Sequence, residues 1–283
     1  MSALRIPAAL VVVGALLAGC GSPESSSSTG AASASNCDPS HLKTQTKGTL
    51  TVATSKPAYP PYFIHNDPTN DKGFESAVAY AIGDKLGFQP AKVKWASEPF
   101  NASFAPGPKA FDFDVNQISI TPARSKQVDF SAPYYTANQA VVALPGTDAA
   151  KAKTLDDLKS VTFGVQIGTT SLDAVKAEIR PSTPPRVFQN SNDVVTALKN
   201  NQVDAVVVDL PSALYLTAVQ VPNGEIVGQF PAPGGDTWGA LMEKGSPLAA
   251  CVSKAVEDLR SSGELQKINQ RWMSQAASAP LLR

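Results

Sequence analysis

Three short segments hold the residue types that could recognise a small charged molecule. In Gln117-Ile-Ser119-Ile-Thr121-Pro122-Ala-Arg124 a strand ends in hydroxyl residues, a proline stands where a helix would start, and an arginine follows within one turn. Backbone N–H groups and a guanidinium would then converge where an anion could sit. Arginine suits a carboxylate because it can bind both oxygens at once, although this segment taken alone fits a surface arginine near a helix start better. In Gln166-Ile-Gly168-Thr169-Thr170-Ser171 the glycine permits close backbone approach and the Thr169 and Thr170 hydroxyls face a helix start. The same pattern serves as a plain N-cap. Asp209 closes the apolar run Asp204-Ala-Val-Val-Val-Asp209 just before Pro211, where its carboxylate would either meet an ammonium or cap the helix that Leu210-Pro211 opens. One cation, two N–H clusters and one carboxylate together complement a free L-α-amino acid in its zwitterionic form.

Other chemistries lack their residues. Only two histidines occur, His41 and His65, and no HExxH, GxSxG, CxxC or P-loop pattern is present; no catalytic residue, metal or cofactor is therefore expected. His65 lies in a polar loop rich in Pro and Asn, a solvated setting without partner ligands. Lys plus Arg and Asp plus Glu both number 24, so there is no basic field to attract nucleic acid. A monomer is expected.

The elements that must position these residues alternate between two periods. Gly48 to Thr54 is β-branched and bounded by Gly and by the Pro57/Pro60/Pro61 cluster, as a short buried strand is. Gly73-Phe-Glu75 opens a helix in which Val78, Ile82 and Leu86 recur every four residues before Gly87. Further strands are predicted over Lys92–Ala96, Phe111–Ile120, Ala140–Leu144, Val161–Gln166 and Asp204–Asp209. Helices are predicted over Ser171–Ile179 and Asp193–Leu198, the latter begun by Ser191 or Asn192, with Thr154 to Asp157 forming a capping box. Val252, Val256 and Leu259, then Leu265, Ile268 and Trp272, mark two amphipathic helices separated by Gly263. The class is α/β, with mostly parallel sheets flanked by helices. With 43% apolar and 17% charged residues, the chain can bury a sizeable core and has no apolar run of about 20 residues that would span a membrane.

The first residues read as an export signal, residues 1–19, in which Arg5 precedes the apolar run Pro7–Ala18 and Leu-Ala-Gly meets Cys20. A cysteine at that point resembles the bacterial lipobox and is expected to carry the lipid (palmitate) that anchors the chain to the membrane. Residues 20–36, mostly Ser, Ala, Gly and Thr, make a flexible tether. Export places Cys37 and Cys251 where disulfides persist. They are expected to pair, two separate buried thiols being the alternative.

Together these segments resemble the extracellular solute-binding proteins of polar amino-acid ABC transporters, family 3, of the glutamine and lysine/arginine/ornithine binder type. The likeness runs from Thr49 to Met273, and Ser-Ile-Thr-x-x-Arg followed by Asp129-Phe-Ser-Ala-Pro-Tyr134 is its most specific part. It implies the two-lobed periplasmic-binding-protein (clamshell) fold, with lobe 1 over 37–137 and 236–275, lobe 2 over 138–235 and a C-terminal tail over 276–283. The crossings would lie near Thr136–Asn138 and Pro231–Asp236, with Trp238 either lining the cleft or packing the hinge. By the same resemblance Arg124 and the N–H groups of Ser119 and Thr170 hold the ligand carboxylate. Asp209, the Ser119 hydroxyl and the Gln117 carbonyl hold its ammonium, and Phe100 and Tyr59 flank its side chain. Binders of basic amino acids carry an acidic residue shortly before that tyrosine, whereas this chain reads Ser55-Lys56-Pro57, so an acidic or neutral polar ligand is expected. An ABC permease is the implied partner and the outer, lipid-anchored side of the membrane the implied location. Dehydratases of aromatic amino-acid biosynthesis and extracellular sensors share the fold; for an enzyme, Glu98 is the nearest candidate acid or base.

Overall fold

The computed structural model describes residues 37–274 and 279–283. The expected signal, Cys20 and the tether lie outside those residues. Leu50-Thr-Val-Ala-Thr54 forms β1 (Leu50–Thr54), buried on nearly every residue, as its β-branched, uncharged sequence requires. It pairs in parallel with β2 (Val93–Ser97) and β3 (Phe113–Asp114). After β4 (Val128–Phe130) the chain leaves this sheet along β5 (Tyr135–Ala137). A second sheet follows, built from β6 (Gln139–Ala143), β7 (Phe163–Gln166), β8 (Arg186–Phe188), β9 (Ala205–Asp209) and β10 (Glu225–Phe230) in the order β10-β6-β9-β7-β8. The chain returns along β11 (Asp236–Trp238) to β12 (Leu241–Glu243), completing the first sheet as β2-β1-β3-β12-β4.

The two crossings pair with each other, β11 antiparallel to β5 with Asp236 opposite Ala137 and Trp238 opposite Tyr135. In each sheet one strand opposes the other four, and it is the strand that follows a crossing: β12 in the first, β6 in the second. The result is two lobes on a two-stranded hinge. Trp238 packs that hinge. It is fully buried, 4.6 Å from the Tyr135 ring and 5.7 Å from Tyr62.

Each lobe has its own core. Phe74, Val78, Ala79 and Ile82 on one face of the Phe74–Lys85 helix bury against the first sheet with Val52, Phe113 and Trp238. Gly73 starts that helix at φ +103°, and a Cβ there would lie 2.3 Å from the Tyr62 carbonyl oxygen, so glycine is required. In the second lobe, residues of one strand separate by period two. Val141, Ala143 and Val207 face Phe163 and Ile179, whereas Ala140, Val142 and Val206 face Val194 and Leu198.

Three predicted elements differ from the structure. The Phe111–Ile120 strand ends after Asp114, because Gln117 adopts φ +49° and its N–H donates to Glu75 instead of a ladder. The Ser171–Ile179 helix is α-helical over Thr170–Ala174 and widens over Val175–Ile179 to end at Arg180, φ +54°. The helix Ser191–Lys199 is capped by Asn190, whose Oδ1 accepts from the Asp193 N–H, not by Ser191 or Asn192.

The helices Ala249–Ser261 and Glu264–Met273 pack into the first core, and a disulfide joins Cys37 to Cys251 with Cα atoms 5.5 Å apart. Beyond them, Ala279–Leu282 returns to the second lobe and edges β10. The Gln229 N–H donates to the Pro280 carbonyl at 2.7 Å, the Leu282 N–H donates to the Gln229 carbonyl at 2.8 Å, and the Leu282 side chain enters the core. Within the stretch read as a tail, Leu281 thus forms a single parallel β-bridge to Gln229. Leu282→Ala is expected to lower unfolding free energy by about 2 kcal/mol, the low end for a buried leucine, measured by urea denaturation; an unchanged midpoint would show the segment contributes no core. No helix among the described residues is long and apolar enough to cross a membrane.

Candidate functional site

A cavity of about 340 Å3 opens between the lobes at the carboxyl ends of β1, β7 and β9, where open α/β sheets hold ligands. Each wall follows from local sequence. On the first lobe, the proline-rich stretch after β1 carries Ser55, Lys56, Tyr59 and Tyr62 to the cavity. The left-handed turn at Gln117 brings Asn116, Gln117 and Ser119 there as well. On the second lobe, Thr169 caps its helix by accepting from the Leu172 N–H at 3.2 Å, and Gly168 at φ +75° makes the preceding turn. A Cβ on Gly168 would stand 2.6 Å from Asn101 Oδ1 across the cleft. β9 delivers Asp209, half-buried, and the helix beginning at Leu210 presents Ser212 and Tyr215.

Of the residues expected from sequence, Tyr59, Phe100, Gln117, Ser119, Thr169, Thr170 and Asp209 all line this cavity. Arg124 stands behind it. The residue is 8% exposed, and its guanidinium donates to the Ser119 carbonyl at 2.7 Å and the Gly168 carbonyl at 2.8 Å, with its centre 4.5 Å from the Phe104 ring and 5.6 Å from Phe100. Asp209 does not cap the following helix through its side chain; it accepts from Gln139 Nε2 at 2.7 Å. Lys56 lies on the cavity wall and is exposed, so it faces both pocket and solvent. Glu98 and Trp238 are not on the wall.

The two walls touch. Arg124 reaches Gly168, Ser119 Oγ meets Thr170 Oγ1 at 3.2 Å, the Tyr59 hydroxyl donates to Asn192 at 2.8 Å, and the Tyr62 and Ser212 hydroxyls lie 2.8 Å apart. Tyr59 also packs against Tyr215, ring centres 5.6 Å apart. Asn192, Ser212 and Tyr215 were not assigned to the site from sequence because they lie within helices, Asn192 read there only as a candidate cap, and only the opposing tyrosines reveal them. Gln139 and Asp236 escaped because both belong to the crossing region and reach the site from beneath.

Burial dominates the electrostatics. It pushes the Asp209 carboxyl well above the usual range, and the negative charge of Asp236 adds to that. Burial lowers the Arg124 pKa, partly offset by Asp236 and Asp209. Glu75, fully buried, supports Gln117 from behind. Its Oε1 accepts from the Gln117 N–H at 2.7 Å and the Tyr134 hydroxyl at 2.5 Å, and its Oε2 accepts from the Gln117 side-chain amide. Burial raises its pKa to about 7. A raised folded-state value stabilises the fold below the unfolded pKa and is lost as pH rises through about 7. Glu75→Gln should therefore gain stability relative to the native chain, by about 3 kcal/mol, between mildly acidic and mildly alkaline pH. Paired urea titrations across that range check this; parallel pH profiles would show that Glu75 titrates normally.

The family model for bacterial extracellular solute-binding proteins, family 3, matches residues 50–275. The L-cystine-binding protein TcyJ of Escherichia coli (strain K12) is 28% identical over 233 residues, 81% of this chain and 84% of that one. The arginine-binding extracellular protein ArtP of Bacillus subtilis (strain 168) is 28% identical over 232 residues, 81% of this chain and 87% of its own. An ancestral arginine-binding protein solved with bound glutamine superposes with a TM-score of 0.68 at 34% identity, covering 81% of this chain and 99% of that one.

Proposed function

Because the chain belongs to the bacterial extracellular solute-binding proteins of family 3, we propose that its cleft captures a polar L-amino acid with a neutral or acidic side chain and delivers it to the permease of an ABC importer. The observation that carries this reading is the charge on the wall. Among the described residues lining the cavity, Asp209 and Lys56 are the charged ones, and the rest of the polar lining is amide and hydroxyl, including Asn116, Gln166, Asn192 and Gln220. Asp209 takes the ammonium together with the Gln117 carbonyl and the Ser119 hydroxyl. That leaves no second carboxylate on the wall for a cationic side chain, which would be stranded at a desolvation cost. The relatives bind cystine and arginine, and the ancestral protein holds glutamine; of these this lining suits glutamine, whose side chain carries no charge.

The carboxylate pole comprises Arg124 with the N–H groups of Ser119 and Thr170. Two of the five donors on Arg124 go to carbonyls, and one of those carbonyls, Gly168, belongs to the opposite lobe and moves with it. Tyr59 and Phe100 flank the side chain. Closure about β5 and β11 brings Asp209 to a ligand held by its carboxylate, and only a ligand with higher affinity for the closed form can drive that motion. Lipid attachment at Cys20 keeps the protein at the outer membrane face. Cys20→Ser should release it from the membrane fraction, and retention there would sink the anchor.

A thermal-shift panel of the common L-amino acids, L-cystine, prephenate and arogenate tests the ligand. A ligand at one hundred times its Kd adds about 2.7 kcal/mol, hence a rise of several degrees at roughly 2 to 4 °C per kcal/mol. Glutamine, asparagine, glutamate or aspartate should give the largest shifts. Larger shifts with arginine or lysine would overturn the charge argument, and no shift at all would overturn the amino-acid reading. Consumption of prephenate or arogenate would make the protein an enzyme.

A further inference from the structure

We propose that the cleft takes an amino acid whose side chain is longer than that of glutamine and ends in an uncharged amide or urea group, which Gln220 receives at the far end of a trough in the second lobe. The inference deepens the reading of the cleft as an amino-acid site and rests on the assignment of Asp209 to the ligand's ammonium.

The cavity does not stop at Asp209. It follows one face of the helix that begins at Leu210, along which Ser212, Leu216 and Gln220 recur every four residues on the wall. At about 1.5 Å per residue, Asp209 and Gln220 stand about 15 Å apart along that helix. The facing side of the trough is the helix Ser191–Lys199, which contributes Val194 and Val195. Both valines and Leu216 belong to the core between these helices, are buried, and still reach the cavity, so this part of it is narrow and apolar. Tyr59 roofs it from the first lobe, with its hydroxyl on Asn192 of one helix and its ring against Tyr215 of the other. Such a slot fits a methylene chain.

The two ends differ in charge. Asp209 supplies a negative charge at one; at the other stands the half-buried Gln220 amide, which makes no hydrogen bond to another described residue. The amides at the start of the facing helix are engaged, since Asn192 Oδ1 accepts from Tyr59 and the Asn190 side chain serves Asp193. An amide donates and accepts at once. It offers a desolvated charge no counter-charge, whereas a neutral amide or urea pairs with both its halves. Length then selects among neutral side chains. Extended, glutamine reaches about 6 Å from its α-nitrogen to its amide nitrogen, and a hydrogen bond of about 2.9 Å at each end brings the span to about 12 Å. The two further bonds of citrulline carry it to about 14 Å, close to the length of the trough.

Calorimetric titration of the native protein with L-glutamine, L-citrulline, L-arginine and L-2-aminoadipate decides the matter. Citrulline should bind at least about tenfold more tightly than glutamine, the effect of roughly one methylene in a hydrophobic pocket. It should also bind more tightly than arginine, which matches it in length but carries a charge. Gln220→Ala, checked for folding by its thermal melt, should shrink the citrulline-to-glutamine ratio, and Gln220→Glu should reverse the order of citrulline and arginine. Glutamine binding as tightly as citrulline, or an unchanged order in Gln220→Glu, would overturn the inference and leave the amino-acid site standing. Tighter binding of aminoadipate than of citrulline would give the far end to Lys56 and overturn it as well. Arginine above citrulline in the native protein would defeat the uncharged end together with the charge argument for the cleft. If none of the four binds, the assignment of Asp209 fails, and this inference with it.

Discussion

Asp209→Asn is expected to weaken amino-acid binding by at least roughly 30-fold, since truncating one partner of a buried charge pair costs about 2 to 5 kcal/mol and each 1.4 kcal/mol is tenfold. The substitution keeps shape and the hydrogen bond from Gln139, because the asparagine Oδ1 can still accept it. It removes the charge that an ammonium needs on the wall of the cavity. Stability should hold or rise, because burial and the nearby Asp236 both work against an ionised Asp209. Calorimetric titration with L-glutamine, alongside a thermal melt without ligand, separates the two effects. Unchanged affinity in a folded variant would remove Asp209 from the site.

Loss of the Cys37–Cys251 bridge should have the largest effect on stability. The two residues are 214 apart in sequence, and the chain-entropy account assigns a loop of that size about 5 kcal/mol, as an upper figure. The bond ties the start of the described chain to a helix in the first core, where Cys251 is buried and Cys37 and Leu42 pack against that core. Replacing both cysteines with serine should lower the thermal midpoint by about 10 to 20 °C at roughly 2 to 4 °C per kcal/mol. A drop of only a degree or two would mean the ordered ends hold their places without the cross-link. The first core would then be the sole source of that order.

The sequence by itself determined what depends on neighbours a few residues away. β-branched runs bounded by Gly and Pro marked β1 and β9, a four-residue apolar repeat marked the Phe74–Lys85 helix, and Thr169 declared its own cap. Strand ends carrying Ser, Thr and Asp therefore pointed to one wall of the cavity between the lobes, since a residue at the carboxyl end of a parallel strand has few other places to face. Tertiary structure decided which partner each polar group found. Arg124 turned to the carbonyls of Ser119 and Gly168, Glu75 reached across to Gln117, and Asp236 came to lie with Asp209 beneath one amide of Gln139. Those meetings join residues tens of positions apart. Periodicity and capping act within a turn or two of chain, whereas a buried polar contact exists only where two crossing strands bring distant residues within hydrogen-bond reach.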